Sequence, residues 1–464
     1  MSGLRKTRGE GYEISDQLFL LYWHFWIGLL ITPVLLLMCI TGGILLFEDE
    51  LLLRVYPTEL SDSQWQEGQF DRRLSQDYYD KILPMVREKL EPDQVVWRVE
   101  LEHRKGRFPS VLVAPKNKPW PQQRYYVNTN TQELYPSPES RQDANAVGQK
   151  DNDLFTSTTL FHRTLYMGLF GRLLVEFTAT WLIATTLLGV LLWFRNKASK
   201  SGKRASTQSA SMYLALRRFH STAGLVSAIA IVTIAWNGLH YSELYGTLYH
   251  GIARATGQYD YLLDVPKGKQ AGATDLTPLE LGQALRAARE HGLSWQRISV
   301  QRLAASSGAL MIESGGDYPP SMTQTLYLDA HDHELLARYD YGDLGWQARW
   351  NKWSYSLHTG SFGGLATKIL WMIVLVLIAL LPISACAMTL ARRRKQLLAS
   401  DQAVSMIKLL PKRALPKTRW IWFALGVVGV LFPLIGLLAF AIASASWLLA
   451  PRRSSSRIKQ QHLS

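Results

Sequence analysis

Five stretches of this chain are too long, too apolar and too poor in charge to be accommodated by a water-soluble fold. Runs without Asp, Glu, Lys or Arg cover Leu18–Phe47, Phe219–Ser242, Ile369–Leu390 and Trp420–Ala450, and Leu173–Phe194 is broken only by Glu176. About 20 apolar residues cross a hydrocarbon core of about 30 Å. Backbone polar groups in that core must be satisfied inside the protein, which selects helices here. The 464 residues would divide into about three soluble domains on length alone, and the apolar runs overrule that division. The expected fold class is an α-helical polytopic membrane bundle.

Charge sets the expected orientation. The net charge is +14, and its basic excess is concentrated in two connecting loops. Seven Lys or Arg and no acid lie from Arg195 to Arg218, and nine against the single Asp401 lie from Arg392 to Arg419. Short basic loops stay in the cytoplasm. Both loops and the N-terminus are therefore expected inside, with attraction to anionic lipid and no nucleic-acid partner. The first run is far longer than a signal-peptide core and reads as a retained anchor. Cys39 and Cys386 both fall within apolar runs, and no Cys-x-x-Cys-His is present, so covalent c-type haem attachment is not expected.

The chain also repeats itself at an offset of 196. His24-x3-Gly28 recurs as His220-x3-Gly224, and His162-x5-Gly168 as His358-x5-Gly364; Gly42 and Gly238 keep the offset, as do Arg172 and Lys368. An internal tandem repeat is expected. It divides the chain into a cytoplasmic N-terminus (1–17), a first span (18–47), an outer domain (48–160), a lead-in with the second span (161–195) and a basic loop (196–218). A third span (219–244), second outer domain (245–355), lead-in with fourth span (356–391) and second basic loop (392–419) follow. A last apolar segment (420–450) and a tail (451–464) complete the chain. Pro433 and Gly436 permit a hairpin in the last segment, but its length favours one kinked crossing, even though that places the basic tail outside.

Each outer domain reads as a helix followed by short β-prone segments. The first has a helix over Phe70–Leu90 and strands over Val95–Glu102, Ser110–Ala114 and Arg124–Asn128. The second has a helix over Thr277–His291 and strands over Arg297–Arg302, Ala309–Glu313 and Thr325–Asp329. Two α+β domains are expected on one side of the bundle.

Ionisable side chains within membrane spans are functional hypotheses by default. His24 and His220 sit at equivalent depths on equivalent helices, and His162 and His358 form a second matched pair near the opposite face. Facing imidazoles are the usual protein ligands of a b-type haem, so two haems stacked across the bilayer are expected, with the four histidines axial to iron. Gly28, Gly224, Gly168 and Gly364 would leave room for the rings, while Arg172, Lys368, Arg163, Arg217 and Arg218 would supply positive charge. His240 competes for the outer layer, with a structural role equally open. Glu176 could serve a proton path or reach to the interface. His331 and His333 read as a solvated loop. No Gly-x-Gly-x-x-Gly and no Walker-type phosphate loop occur, so any electron donor would be separate: quinol or a cytoplasmic reductase.

His24-Phe-Trp-Ile-Gly-Leu, the segment Arg124-Tyr-Tyr-Val-Asn, His162-Arg-Thr-Leu-Tyr-Met-Gly, and their counterparts through His220 and Leu357-His358-Thr-Gly-Ser-Phe-Gly-Gly resemble the PepSY-associated transmembrane helix family over about residues 15–395. The resemblance implies PepSY-like periplasmic domains, a bacterial inner-membrane location and the chemistry of a siderophore reductase. The expected function is a di-haem b reductase that passes electrons to a periplasmic ferric siderophore and releases ferrous iron in iron uptake. The alternatives are a PepSY-type regulatory or binding membrane protein without redox activity, or a siderophore or haem permease.

Overall fold

A computed structural model describes residues 16–57, 76–102, 107–115, 123–128, 131–136, 154–199, 212–258, 266–269, 276–293, 297–302, 308–315 and 323–399. The expected last apolar segment at 420–450 and the tail at 451–464 lie outside the described residues, as do most of both basic loops and residues 1–15.

Helix α1 (Asp16–Leu46) leads through a short α2 (Glu48–Val55) to α3 (Gln76–Glu88) and four strands, β1 (Gln94–Glu102), β2 (Ser110–Pro115), β3 (Gln123–Asn128) and β4 (Glu133–Pro136). A lead-in helix α4 (Leu154–Thr164) then turns into the long α5 (Gly168–Ser199). The second half runs through α6 (Met212–Leu239), α7 (Leu244–Ala255), α8 (Pro278–Glu290), β5 (Arg297–Arg302), β6 (Ala309–Ser314), β7 (Gln324–Asp329), β8 (Leu335–Asp340), α9 (Trp346–Thr359) and α10 (Leu365–Ala399). Among the described residues, four helices are long and apolar enough to cross a membrane, over Leu20–Leu46, Gly168–Arg195, Met212–Leu239 and Leu365–Ala391.

The four long helices pack along rows of residues spaced by four. On α1 the buried row is Ile27, Ile31, Leu35 and Cys39, and on α6 it is Ala223, Ser227, Ile231, Ala235 and Leu239. Such i, i+4 rows form the ridges that interdigitate between helices. The opposite face of α6 shows the other solvent: Val226 and Ile229 are 73% and 83% exposed, an apolar surface suited to lipid. Hydroxyls in the spans bond back to their own helices, as Ser227 Oγ does to Ala223 O at 2.6 Å and Thr180 Oγ1 to Glu176 O at 2.8 Å. No hydroxyl in these pairs is left bare in the hydrocarbon.

Outside the spans, the two expected α+β units share one antiparallel sheet of eight strands in the order β4-β3-β2-β1-β5-β6-β7-β8. The halves join at β1 and β5, where Arg98 to Glu102 pair with Gln301 to Arg297. One sheet face is covered by α3 and α8, whose Ile82, Leu83, Val86, Leu281, Ala284 and Leu285 meet Val99, Val300, Ile312 and Leu326. The register shift between Val96 and Arg98 lets Val96 and Val99 face the same core despite their odd spacing. Helix α8 starts where Thr277 predicts: Thr277 Oγ1 accepts the Glu280 N–H at 3.1 Å and Glu280 Oε2 accepts the Thr277 N–H at 2.7 Å, a closed capping box. The other sheet face meets the bundle side, where Tyr126 and Phe108 pack with Leu52 of α2 and Phe155 of α4.

Ile312 is fully buried at the centre of the shared core. Ile312→Ala is expected to cost about 2–5 kcal/mol, read as a lowered thermal midpoint of the purified protein in detergent.

Candidate functional site in the helix bundle

The bundle brings the four span-associated histidines together in two layers. The His24 and His220 ring centroids lie 6.1 Å apart and those of His162 and His358 lie 6.4 Å apart. Each ring is anchored through Nδ1. His24 Nδ1 donates to Thr185 O at 2.9 Å, His220 Nδ1 to Leu381 O at 3.0 Å and His358 Nδ1 to Ile234 O at 2.9 Å. Thr185 and Leu381 are themselves 196 apart, so the first two anchors match. His162 Nδ1 lies 2.7 Å from Thr41 Oγ1, whose own proton goes to Leu37 O at 2.8 Å. With Nδ1 bonded in this way, the lone pair of each neutral ring is on Nε2.

The glycines next to the rings are not those first suspected. A Cβ on Gly189 would sit 2.9 Å from His24 Cε1, one on Gly238 2.8 Å from His358 Cε1, and one on Gly42 3.3 Å from His162 Cε1. At Gly28 and Gly224 the added carbon would meet only Thr185 Oγ1 at 3.9 Å and Leu381 Cδ2 at 3.6 Å. Gly168 and Gly364 serve the backbone instead, at φ of 57° and 64° between each lead-in helix and its span. The shared offset of Gly42 and Gly238 carried the signal for ring contacts; nothing in the sequence singled out Gly189.

The charged candidates have other partners. Lys368 Nζ lies 2.9 Å from both carboxylate oxygens of Glu50 and 3.7 Å from Asp49, and Arg107 also holds Asp49 at 3.0 Å. Arg172 pairs with Glu243 at 2.9 Å. Arg218 is exposed on the first turns of α6. Glu176, 2% exposed, accepts the N–H groups of Glu243, Leu244 and Tyr245 at 3.1, 2.9 and 2.8 Å. It is the anionic cap on α7, which accounts for a carboxylate in that span without a proton path.

His240 belongs to neither pair. It is buried among Tyr249, Tyr245 and Trp350, with centroids 4.2, 5.6 and 6.0 Å away. Burial pushes the Tyr245 hydroxyl up to about 12. His250, on α7, accepts from Gln347 Nε2 at 3.3 Å. Burial, and then the charge of Arg254, hold it below the ordinary histidine range.

The expectation of a di-haem b ferric-siderophore reductase is corrected by these donors. Among the described residues, no group of three or more His, Cys, Asp or Glu could hold a metal ion. Each layer supplies a pair of imidazoles and no third His, Cys, Asp or Glu beside them among the described residues. Lys368 and Arg172, expected to supply positive charge near the outer pair, are neutralised by protein carboxylates. The haem cofactors, the oxidoreductase activity and the electron-transfer role are withdrawn with that expectation.

The fold and this bundle define a multi-pass membrane protein carrying an α+β extramembrane unit. The chain belongs to the PepSY-associated TM region family, whose profile matches residues 21–392. No curated protein matches the chain.

Glu176→Gln removes the charge that caps α7. It is expected to destabilise the protein by about 1.5–3 kcal/mol, seen as a lower thermal midpoint and faster proteolysis near Leu244. The unfolded chain protonates His250 near the ordinary value of about 6.5, whereas the fold keeps it neutral to lower pH. Its stabilising contribution is therefore complete above about 6.5 and is lost as pH falls from there through the lower value that the group has in the fold. In thermal scans from pH 7.5 to 5, His250→Gln is expected to show a smaller acid-induced drop than the unaltered protein.

Proposed function

We propose that the chain is a PepSY-type binding or regulatory membrane protein without redox activity of its own, built as a tandem repeat. The observation that supports this reading best is the set of polar ties between the sheet and the bundle. Arg107 beside β2 holds Asp49 of α2, and Lys368 at the start of α10 holds the neighbouring Glu50. Lys352 of α9 reaches Glu313 of β6 at 2.6 Å. Force on the sheet is therefore passed to the helices through charged contacts as well as through apolar packing.

The sheet is the part that meets a partner. Its outermost strands, β4 and β8, each have a strand neighbour on one side only among the described residues. Such an edge accepts an extended polypeptide as an added strand. The basic loops support a cytoplasmic N-terminus, with the sheet on the other side of the membrane. The domain boundaries follow the offset of 196, with one PepSY-like unit in each half.

His24, His220, His162 and His358 are the site residues of the bundle. The inner pair joins α1, bonded to α5, with α6, bonded to α10; the outer pair joins α4, bonded to α1, with α9, bonded to α6. Each pair thus faces across the boundary between the halves, where a bound partner would change their spacing.

The test is the visible spectrum of the detergent-purified full chain from haem-replete cells, before and after dithionite. A protein with no visible band in either state, and no ferric-chelate reduction in the unaltered or His220→Ala form, is the expected result. A Soret band that disappears in His220→Ala would overturn the reading.

A further inference from the structure

Helix α9 forms one wall of a cavity of about 520 Å³, lined on this helix by Trp346, Arg349, Trp350, Trp353 and Leu357, and beyond it by residues that include Tyr341 and Gln258. Trp346, Trp350, Trp353 and Leu357 follow one another at four, three and four residues, so they share one helix face. That face is about 16 Å long at 1.5 Å per residue.

Contacts with α6 fix how the groove stands relative to the membrane. The Trp350 ring lies 6.0 Å from that of His240, just past the end of α6. Ser354 Oγ donates to Asn237 O at 3.3 Å, and His358 Nδ1 donates to Ile234 O at 2.9 Å. Helix α9 therefore descends beside α6 as its sequence advances, running antiparallel to it. Leu357 reaches the depth of the apolar span, while Arg349 stays above its end at Leu239.

Arg349 is exposed and has no carboxylate partner among the described residues. Its Nε donates to Leu344 O at 2.7 Å and its Nη2 to Gly342 O at 2.5 Å, with the guanidinium 5.9 Å from the Tyr341 ring. Those bonds hold the group in place and leave its charge uncompensated. The groove is thus cationic at the top, indole-walled at the interface and aliphatic below. Positions 196 earlier hold Lys150, Asp153, Leu154, Ser157 and Phe161, so neither the indole row nor the arginine is required of a lead-in helix.

We propose that this groove holds an anionic phospholipid, with its phosphate on Arg349 and one acyl chain along Trp350, Trp353 and Leu357. Arginine suits phosphate through charge-assisted hydrogen bonds, and indoles favour the headgroup level of a bilayer. A free phosphate would use only the top of the site, and the apolar length below selects the lipid. The inference is independent of what the sheet binds.

The test uses the full chain, delipidated in mild detergent and offered phosphatidylglycerol or phosphatidylcholine with brominated chains. Native mass spectrometry reads the retained lipid, and tryptophan quenching reads its place. Retention of phosphatidylglycerol about tenfold over phosphatidylcholine, with quenching that inorganic phosphate does not reverse, is expected. Arg349→Gln should abolish the preference and Arg349→Lys should keep most of it. Trp346→Leu, at an exposed position, should reduce quenching while leaving the thermal midpoint unchanged. Equal retention of the two lipids, a preference unaffected by Arg349→Gln, release by inorganic phosphate, or an associated polypeptide in place of lipid would each overturn the proposal.

Discussion

Hydrocarbon offers a backbone no hydrogen-bond partner, and the architecture follows from that deficit. The spans are helices because a helix satisfies its own peptide groups. Side chains inside them obey the same rule: threonine and serine hydroxyls bond back one turn, and the histidines reach a carbonyl or a threonine oxygen on another helix. Glu176 is the most demanding case. Its charge is tolerated because three N–H groups at the start of α7 converge on it, and the same contact fixes α7 over the bundle.

Four of the five expected spans, both halves of the sheet and the pairing of the histidines were legible in the sequence because each depends on local periodicity or on the offset of 196. Strands β4 and β8 were legible only as the return of a shared strand-turn-return pattern that begins at Arg124 and at Thr325. Glu133–Pro136 is short, and both it and Leu335–Asp340 mix exposed and half-buried positions, so neither carries the alternation of a strand over a core. The joining of two meanders into one sheet was also hidden. It depends on β1 meeting β5 across some 200 residues, and periodicity within a strand does not name its neighbour.

At the site, sequence reasoning placed the four histidines correctly in two layers and assigned them the wrong chemistry. Matched spacing reports which side chains meet; it does not report what they hold. The basic residues were misjudged for a related reason. Lys368 looks like a free cation beside an outer histidine until Glu50, 318 positions away, is brought to it by the fold. Arg172 has the same history with Glu243.

The β1–β5 seam has a mechanical meaning for the membrane part. Proteins in which two bundled halves rock against each other need the halves to part on one side and then the other. Here the side carrying the sheet is laced shut by five residue pairs and a core common to both halves. Separation or sliding on that side would break the sheet, so movement between the halves is confined to opening at the far ends of the spans. The molecule is hinged on one edge, like a book bound at its spine.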